Sequence, residues 1–394
     1  MKNLNIVMIV VDAFKPKHLS MFGYEKETDK NLKIIAKESI LFRNQFSVSN
    51  ATAPALTSIF SGLYPSNHGV IHQMPYTKQE EIEKVEKIKF WLPSYLKENG
   101  YETIALDWVG LWFKKGFDYY KESEKELDKL FPATSESMEL AMQKINQAKK
   151  PFFIFIHLWD THFPFPNTEY EVREKADVNE IIDKIKNEKQ KEYVRKRIEA
   201  IKLEAVKDII NKYDKTIKII DSEIGKLYNF LKEKELWDET IFLVLGDHGD
   251  IINENGIYFS HCSLFDASIH APFIMHLPEI KAAEINELVQ NVDIVPTILD
   301  FLEEKVEDLD GVSLLPLIKE GKKVRDKLFL FDGLAEDVRA IRTENKKLII
   351  AKNNFCNLCK ADHHYNLEEY DLANDSKEEK NVFSGKSELL KFLS

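Results

Sequence analysis

The chain has 394 residues, 44% of them hydrophobic, enough to bury a large core as one α/β domain or as a main domain with a smaller appendage. A formal net charge of -11 argues against a general nucleic-acid binder, although a bound cation can reverse the local field and let an acidic protein hold an anionic substrate. Three cysteines, Cys262, Cys356 and Cys359, are too few and too unevenly placed for a disulfide framework, which points to a reducing, cytoplasmic setting. No segment approaches the ~20 apolar residues that a membrane span needs.

Residues 4–11, LNIVMIVV, form a continuous aliphatic run of strand length, the pattern of a parallel strand buried on both faces. Lys2 is the only charge before the apolar run Ile6 to Val11, and Asp12 ends that run before any small-residue cleavage site, so it reads as a strand and not a signal peptide. Asp12 stands where open α/β sheets hold their ligands, beyond a strand's carboxyl end; its ordinary alternative is a turn former. Asn31–Ser39 predicts an amphipathic helix, and ILFRNQFSV then leads to the stretch NATAPALTSIFSGLYPSNHGV at 50–70. Thr52 sits there just before a helix N-terminus, where backbone N–H groups favour an anion and a hydroxyl could attack a phosphoryl or sulfuryl centre. A plain N-cap is the alternative.

Further on, WLPSYLKENG predicts a helix closed by Asn-Gly, Tyr101–Asp107 a buried strand, Ser135–Lys149 a helix and Pro151–Leu158 another strand. This alternation predicts a large, mostly parallel sheet sandwiched by helices. WDTHFPFP follows the last strand, so Asp160 and His162 occupy the same kind of position as Asp12, with Pro164 and Pro166 holding the loop open. Residues 171–200 are dense in charge and read as a solvated helical insertion, a candidate lid. Leu203–Lys232 carries apolar residues at helical spacing, so a long helix packs on the sheet, with Tyr213, Asp214 and Asp221 as packing and capping residues. The strand TIFLVL ends in GDHGD, where Asp247 and His248 form a compact pair of metal ligands. His261 falls in a loop on the ligand side, whereas His270 and His276 border or lie within strand.

Asp293–Phe301 predicts a helix and LDGVSLLPLI a connector. From Lys327 the pattern changes to short strands, which suggests a catalytic domain over 1–325 and a small antiparallel α+β subdomain over 326–394 that ends in a helix at Ser387–Leu393. Cys356 and Cys359, followed by His363 and His364, have a spacing that admits a structural zinc clasp; reduced surface thiols are the alternative.

Read together, VVDAFKPKHLSMFGY, TAPALTSIFSGLYPSNHGV, HLWDTHFPF, LGDHGD, SHCSLFDASIHAPFI, DIVPTILDF and AIRTENKKLII with EEYDLANDSKEEKN resemble, in order, the sulfatase-type branch of the alkaline phosphatase superfamily. That resemblance implies a divalent metal on Asp12, Thr52, Asp247 and His248, with Thr52 the nucleophile. It also implies that His162 and His261 contact the substrate's anionic head or, with Asp160, a second metal. The chain departs from the pattern at three places. Thr52 stands where a cysteine or serine becomes formylglycine, Leu56 replaces the arginine of the C/S-x-P-x-R motif, and Ala13 replaces a second aspartate. Threonine cannot yield that aldehyde, because its Cβ carries a methyl group. With one hard oxygen ligand lost, zinc or manganese is expected before calcium. The expected activity is therefore hydrolysis of small anionic phosphate diesters or phosphonate esters through a metal-bound threonine. The alternatives are a sulfuric ester hydrolase without formylglycine and a non-catalytic, metal-bearing binding protein.

Overall fold

The computed structural model describes residues 1–121 and 132–393. Its strands, in chain order, are β1 (Asn5–Val11), β2 (Ile40–Phe46), β3 (Glu102–Leu106), β4 (Tyr119–Lys121), β5 (Phe152–Leu158), β6 (Thr240–Gly246), β7 (Ile251–Glu254), β8 (Ile257–Ser260), β9 (Phe273–His276), β10 (Ala283–Gln290), β11 (Lys327–Phe331), β12 (Ala335–Thr343), β13 (Lys346–Cys356) and β14 (Leu367–Asp371). The main sheet runs β10-β2-β9-β6-β1-β5-β3-β4. All its pairings are parallel except those of β9, which lies antiparallel to both β2 and β6.

The continuous aliphatic run of β1 is explained by its central place, since both faces need apolar cover. Val7, Ile9 and Val11 point into a core closed by the helices Lys30–Ala36, Thr134–Gln147 and Val206–Glu233. Ile6, Met8 and Val10 point into the opposite core, closed by Thr52–Ser61, Leu92–Glu98 and Ile294–Phe301. At roughly 1.5–3 kcal/mol for each fully buried aliphatic side chain, these layers hold the strand ends rigid. The long helix Val206–Glu233 is where the periodicity placed it. Its buried polar residues are structural: Tyr213 donates to the Ala13 carbonyl and accepts from the Lys15 amide, and Asp221 accepts from the amides of Asn31 and Leu32.

The segment expected to be a solvated insertion contains two helices, Val178–Lys184 and Glu188–Ile201. They are not merely solvated, because Val178, Ile182, Ile185, Val194 and Ile201 enter the first core. Three further elements differ from the sequence reading. The connector contains a helix, Leu315–Glu320; the expected terminal helix is only a short 3-10 turn, Leu390–Phe392; and the unassigned residues Ala283–Gln290 form the edge strand β10. β10 is amphipathic and exposed over its first half, so it lacks the apolar run that marks a buried strand.

The strands β11–β14 form a separate antiparallel sheet in sequential order. It packs close to the segment that leads into Thr52. The Phe331 amide donates to the Val48 carbonyl, the Gly333 amide donates to Asn50 Oδ1, and the Gln73 amide donates to the Gly333 carbonyl. A Cβ on Gly333 would lie 2.4 Å from the Ala51 Cβ, so this turn approaches the main domain as closely as backbone allows.

Candidate active site

Four polar side chains reach one point from three secondary-structure ends. Asp12 follows β1, Asp247 and His248 follow β6, and Thr52 opens the helix Thr52–Ser61. Thr52 Oγ1 donates to Asp12 Oδ2 at 3.1 Å and lies 3.3 Å from His248 Nε2. His248 Nε2 is 3.8 Å from Asp12 Oδ1 and 3.6 Å from Asp247 Oδ2. The sequence therefore named four side chains that do meet, and all are buried. Gly249, immediately after His248, is needed for space and not for an unusual backbone angle: a Cβ there would meet the Ala267 carbonyl oxygen at 2.5 Å.

His157, the penultimate residue of β5, completes the group and was not singled out in the sequence. Its Nε2 lies 3.8 Å from Asp12 Oδ2, while its Nδ1 is 2.8 Å from Asp107 Oδ1 at the end of β3. Tyr120 donates its hydroxyl to the other Asp107 oxygen at 2.5 Å. Such an outer carboxylate fixes the proton on Nδ1 and leaves Nε2 free to bind a cation. The available signal was a histidine inside the apolar run FFIFIHL, which is costly to bury without a partner.

Asp12 Oδ1, Asp247 Oδ2 and His157 Nε2 are buried and have no hydrogen-bond partner among the described residues. One ligand atom from each of Asp12, His157 and Asp247 falls within 4.8 Å of the others. Burial, then the neighbouring Asp247, pushes the Asp12 carboxyl well above the ordinary carboxylate range. Two buried carboxylates, each with one oxygen lacking a partner among the described residues, facing an imidazole lone pair are expensive in a protein interior and become favourable around a divalent cation. The residues fit a divalent metal, with carboxylate and imidazole as the donor set.

The candidate substrate histidines lie beside this site. His261 stacks on His248 with ring centroids 4.6 Å apart, and its Nδ1 lies 2.5 Å from the Asn50 carbonyl. His162 is 5.8 Å from His261, stacks on Trp159 at 3.9 Å, and has Nδ1 2.9 Å from the Phe163 carbonyl. Burial and neighbouring positive charge hold both imidazoles below their usual pKa, His261 at about 3. Their neutral rings are available to accept or pass a proton.

A sulfatase family model matches residues 4–304, most of the chain. The chain belongs to the sulfatase family. A second model, the C-terminal part of N-sulphoglucosamine sulphohydrolase, matches residues 254–391. An ulvan-active sulfatase from Formosa agariphila is 25% identical over 86% of this chain and 71% of its own length. The chain spans only 60% and 58% of two further ulvan-active sulfatases from that organism. Among solved structures, one in complex with its substrate D-glucosamine-2-N,6-O-disulfate is 21% identical with a TM-score of 0.72, covering 100% of this chain and 95% of that one. The phosphonate monoester hydrolase of Agrobacterium radiobacter is 17% identical with a TM-score of 0.70, covering 99% and 93%. Both likenesses support the fold: a large, mostly parallel sheet between helices with a small C-terminal antiparallel sheet.

Against the sulfatase pattern, each departure has a physical setting. Ala13 takes a left-handed backbone with φ of 53°, its amide donating to Asp247 Oδ1 at 3.2 Å and its carbonyl accepting from Tyr213. No ligand extends from it, and His157 approaches Asp12 from the neighbouring strand. Leu56, at the arginine position, is fully buried in the second core and brings no charge to the site. The helix Glu188–Ile201 instead places Arg197 nearby, its guanidinium 4.4 Å above the Phe163 ring and its Nε donating to the Phe259 carbonyl at 2.9 Å.

Two groupings expected from sequence are not formed. Asp160 does not join His162 and His261 in a second metal site, because both of its oxygens are occupied: Oδ2 accepts from the Thr134 amide and hydroxyl, and Oδ1 from Asn167. It holds the start of the helix Thr134–Gln147 in place. His364 does not join Cys356, Cys359 and His363 either. Its Nδ1 lies 2.6 Å from Glu368 Oε2 and its Nε2 accepts from the Leu264 amide. Cys262, distant in sequence, stands in its place.

Proposed function

We propose that this sulfatase-family hydrolase cleaves a sulfate monoester by direct attack of the Thr52 hydroxyl on sulfur. The observation that carries the reading is the placement of Thr52 Oγ1, 3.1 Å from Asp12 and 3.3 Å from His248, beside three buried ligand atoms that lack partners among the described residues. Asp12, Asp247, His248 and His157 would hold a divalent cation, zinc or manganese, which supplies Lewis acidity toward the anionic head. Thr52 forms the bond to sulfur as the ester oxygen leaves, and Asp12 Oδ2, its hydrogen-bond acceptor, is placed to receive the hydroxyl proton. The departing oxygen takes its proton from solvent, and His162 or His261, neutral and with Nδ1 turned to a backbone carbonyl, takes one from the water that hydrolyses the threonine ester. Trp108 and Trp159, edge to face at 4.1 Å beside His162, offer a wall for an organic leaving group, with a carbohydrate sulfate the first class to test.

Sulfate takes precedence over the phosphate diester or phosphonate that the threonine alone suggested, because the named relatives are mainly sulfatases. A phosphonate monoester remains the second reading. It is favoured by the likeness to phosphonate monoester hydrolases and by a nucleophile that cannot become an aldehyde. Metal-loaded protein and its Thr52→Ala variant are to be incubated with p-nitrophenyl sulfate, p-nitrophenyl phenylphosphonate and bis-p-nitrophenyl phosphate. Turnover confined to the sulfate and lost with Thr52 supports the first reading; turnover confined to the phosphonate replaces it with the second. Metal binding with no turnover of any ester points to a binding protein.

A further inference from the structure

We propose that Cys262, Cys356, Cys359 and His363 form a closed structural zinc site that ties the loop carrying His261 to the C-terminal sheet. All the cysteines of the chain are gathered here, buried, as free thiols. One ligand atom from each of the four residues lies within 4.8 Å of the others. Cys262 Sγ is 3.1 Å from Cys356 Sγ, and Cys359 Sγ is 2.7 Å from His363 Nε2.

The local backbone accounts for three of the four ligands. Cys356 ends β13, the chain turns at residues 357–360, and it returns through Ala361, whose carbonyl accepts from the Cys356 amide at 2.9 Å. Lys360 adopts φ of 61° to close the turn, and its amide donates to the Cys356 carbonyl. Phe355 and Asp362 form a bridge across the hairpin. Cys356 and Cys359 thus face inward from one tight knuckle, and His363 folds back onto them. Cys262 arrives from the main domain, its Sγ 2.8 Å from Ser260 Oγ.

Three buried thiols and one half-buried imidazole are the donor set of a four-coordinate zinc site with no open position, which is structural and not catalytic. Bonds of ~2.3 Å to sulfur and ~2.0 Å to nitrogen in a tetrahedron separate neighbouring ligand atoms by roughly 3.5–3.8 Å. The Cys262–Cys356 and Cys359–His363 contacts, at 3.1 and 2.7 Å, reach that spacing by opening by less than about 1 Å. Zinc replaces the thiol protons, which pass to solvent, and no electrons are transferred.

The position of the clasp gives it a consequence. Cys262 follows His261, which stacks on His248 and bonds to the Asn50 carbonyl, while Asn50 Nδ2 donates to the His261 carbonyl at 3.0 Å. Zinc at the cysteines would fix the loop from one side while Asn50 fixes it from the other.

The test uses full-length Asp247→Asn protein, in which the first metal cluster loses a carboxylate, purified without chelator. Zinc content by mass spectrometry and zinc K-edge X-ray absorption are measured there and after adding Cys356→Ser with Cys359→Ser. The expected result is one zinc per chain in a shell dominated by sulfur, lost with the cysteines. Should the cysteine variant not fold, the absorption spectrum of the Asp247→Asn protein decides alone. A zinc shell without sulfur, no zinc in the Asp247→Asn protein, zinc unchanged by the cysteine substitutions, or a Cys262–Cys356 disulfide would each overturn the proposal. None of these readouts depends on turnover, so failure of the Thr52 reading leaves the clasp standing.

Discussion

Gly333→Ala should damage the active site from a residue that touches no substrate. The added Cβ would sit 2.4 Å from Ala51 Cβ, 3.1 Å from Ser49 Oγ and 3.3 Å from the Ile71 carbonyl oxygen. Relaxed carbon–carbon contacts need about 3.5–4.0 Å, so the two chains must part by roughly 1.1–1.6 Å. Both sides are backbone-anchored: Gly333 donates to Asn50 Oδ1 at 2.8 Å, and Ala51 immediately precedes the helix that carries Thr52. Overpacking of this kind costs about 1–3 kcal/mol of stability. A displacement of about 1 Å at a reacting group lowers rate by about a hundredfold. The variant should therefore melt lower and lose kcat more than KM on whichever ester the native protein turns over. Native melting temperature and kcat in Gly333→Ala would refute the argument that this turn positions Thr52.

Asp107→Asn removes the carboxylate that orients His157, and competition with a fluorescent chelator should show metal affinity at the first cluster falling about 10- to 100-fold. Tyr213→Phe deletes a buried hydroxyl that bridges Ala13 and Lys15, leaving two backbone groups unsatisfied; denaturant titration should show a loss of about 1–3 kcal/mol for each. Asp266→Asn breaks a buried pairing with Arg342 at 3.0 Å and Lys347 at 2.6 Å, so about 3–5 kcal/mol should be lost in the same assay at neutral pH. Burial alone would raise the Asp266 carboxyl, but Arg342 and Lys347 hold it well below the ordinary range. Its stabilisation is therefore fully present above the unfolded value of about 3.9 and fades as pH falls below that. The difference between native and variant protein should shrink under acid titration.

What the sequence made legible followed from residues whose neighbours along the chain decide their fate. β1, β5 and β6 are buried on both faces, so their composition announces them, and a polar residue at their carboxyl ends is already placed. Asp12, Asp247 and His248 were found that way. Asp160 shared that signal and misled, because strand position alone does not reveal that Thr134 and Asn167 occupy its oxygens. His157 went unread for the opposite reason. It lies inside the strand, and its partner Asp107 comes from the neighbouring strand, so the pair exists only once β3 and β5 lie side by side. Cys262 and His364 exchanged places on the same ground: adjacency suggested His364, whereas a contact from far along the chain supplied Cys262.

The two parts of the site differ in what holds them. Asp12, His157, Asp247 and His248 are carried by strands of one sheet or the residues that follow them, and two cores fix that sheet from both faces. Thr52 and His261 instead depend on loop segments, and loops hold a reacting geometry only where something ties them down. For both, part of the tie comes from the C-terminal sheet and the turns and tail beside it. The turn at Asp332 and Gly333 grips Asn50, two residues before Thr52. Lys347 bonds the Leu264 carbonyl and pairs with Asp266 and Glu378, holding the segment that follows His261. Removing the small sheet would therefore leave the strand-borne ligands assembled and release Thr52 and His261 together, so metal binding would outlast catalysis.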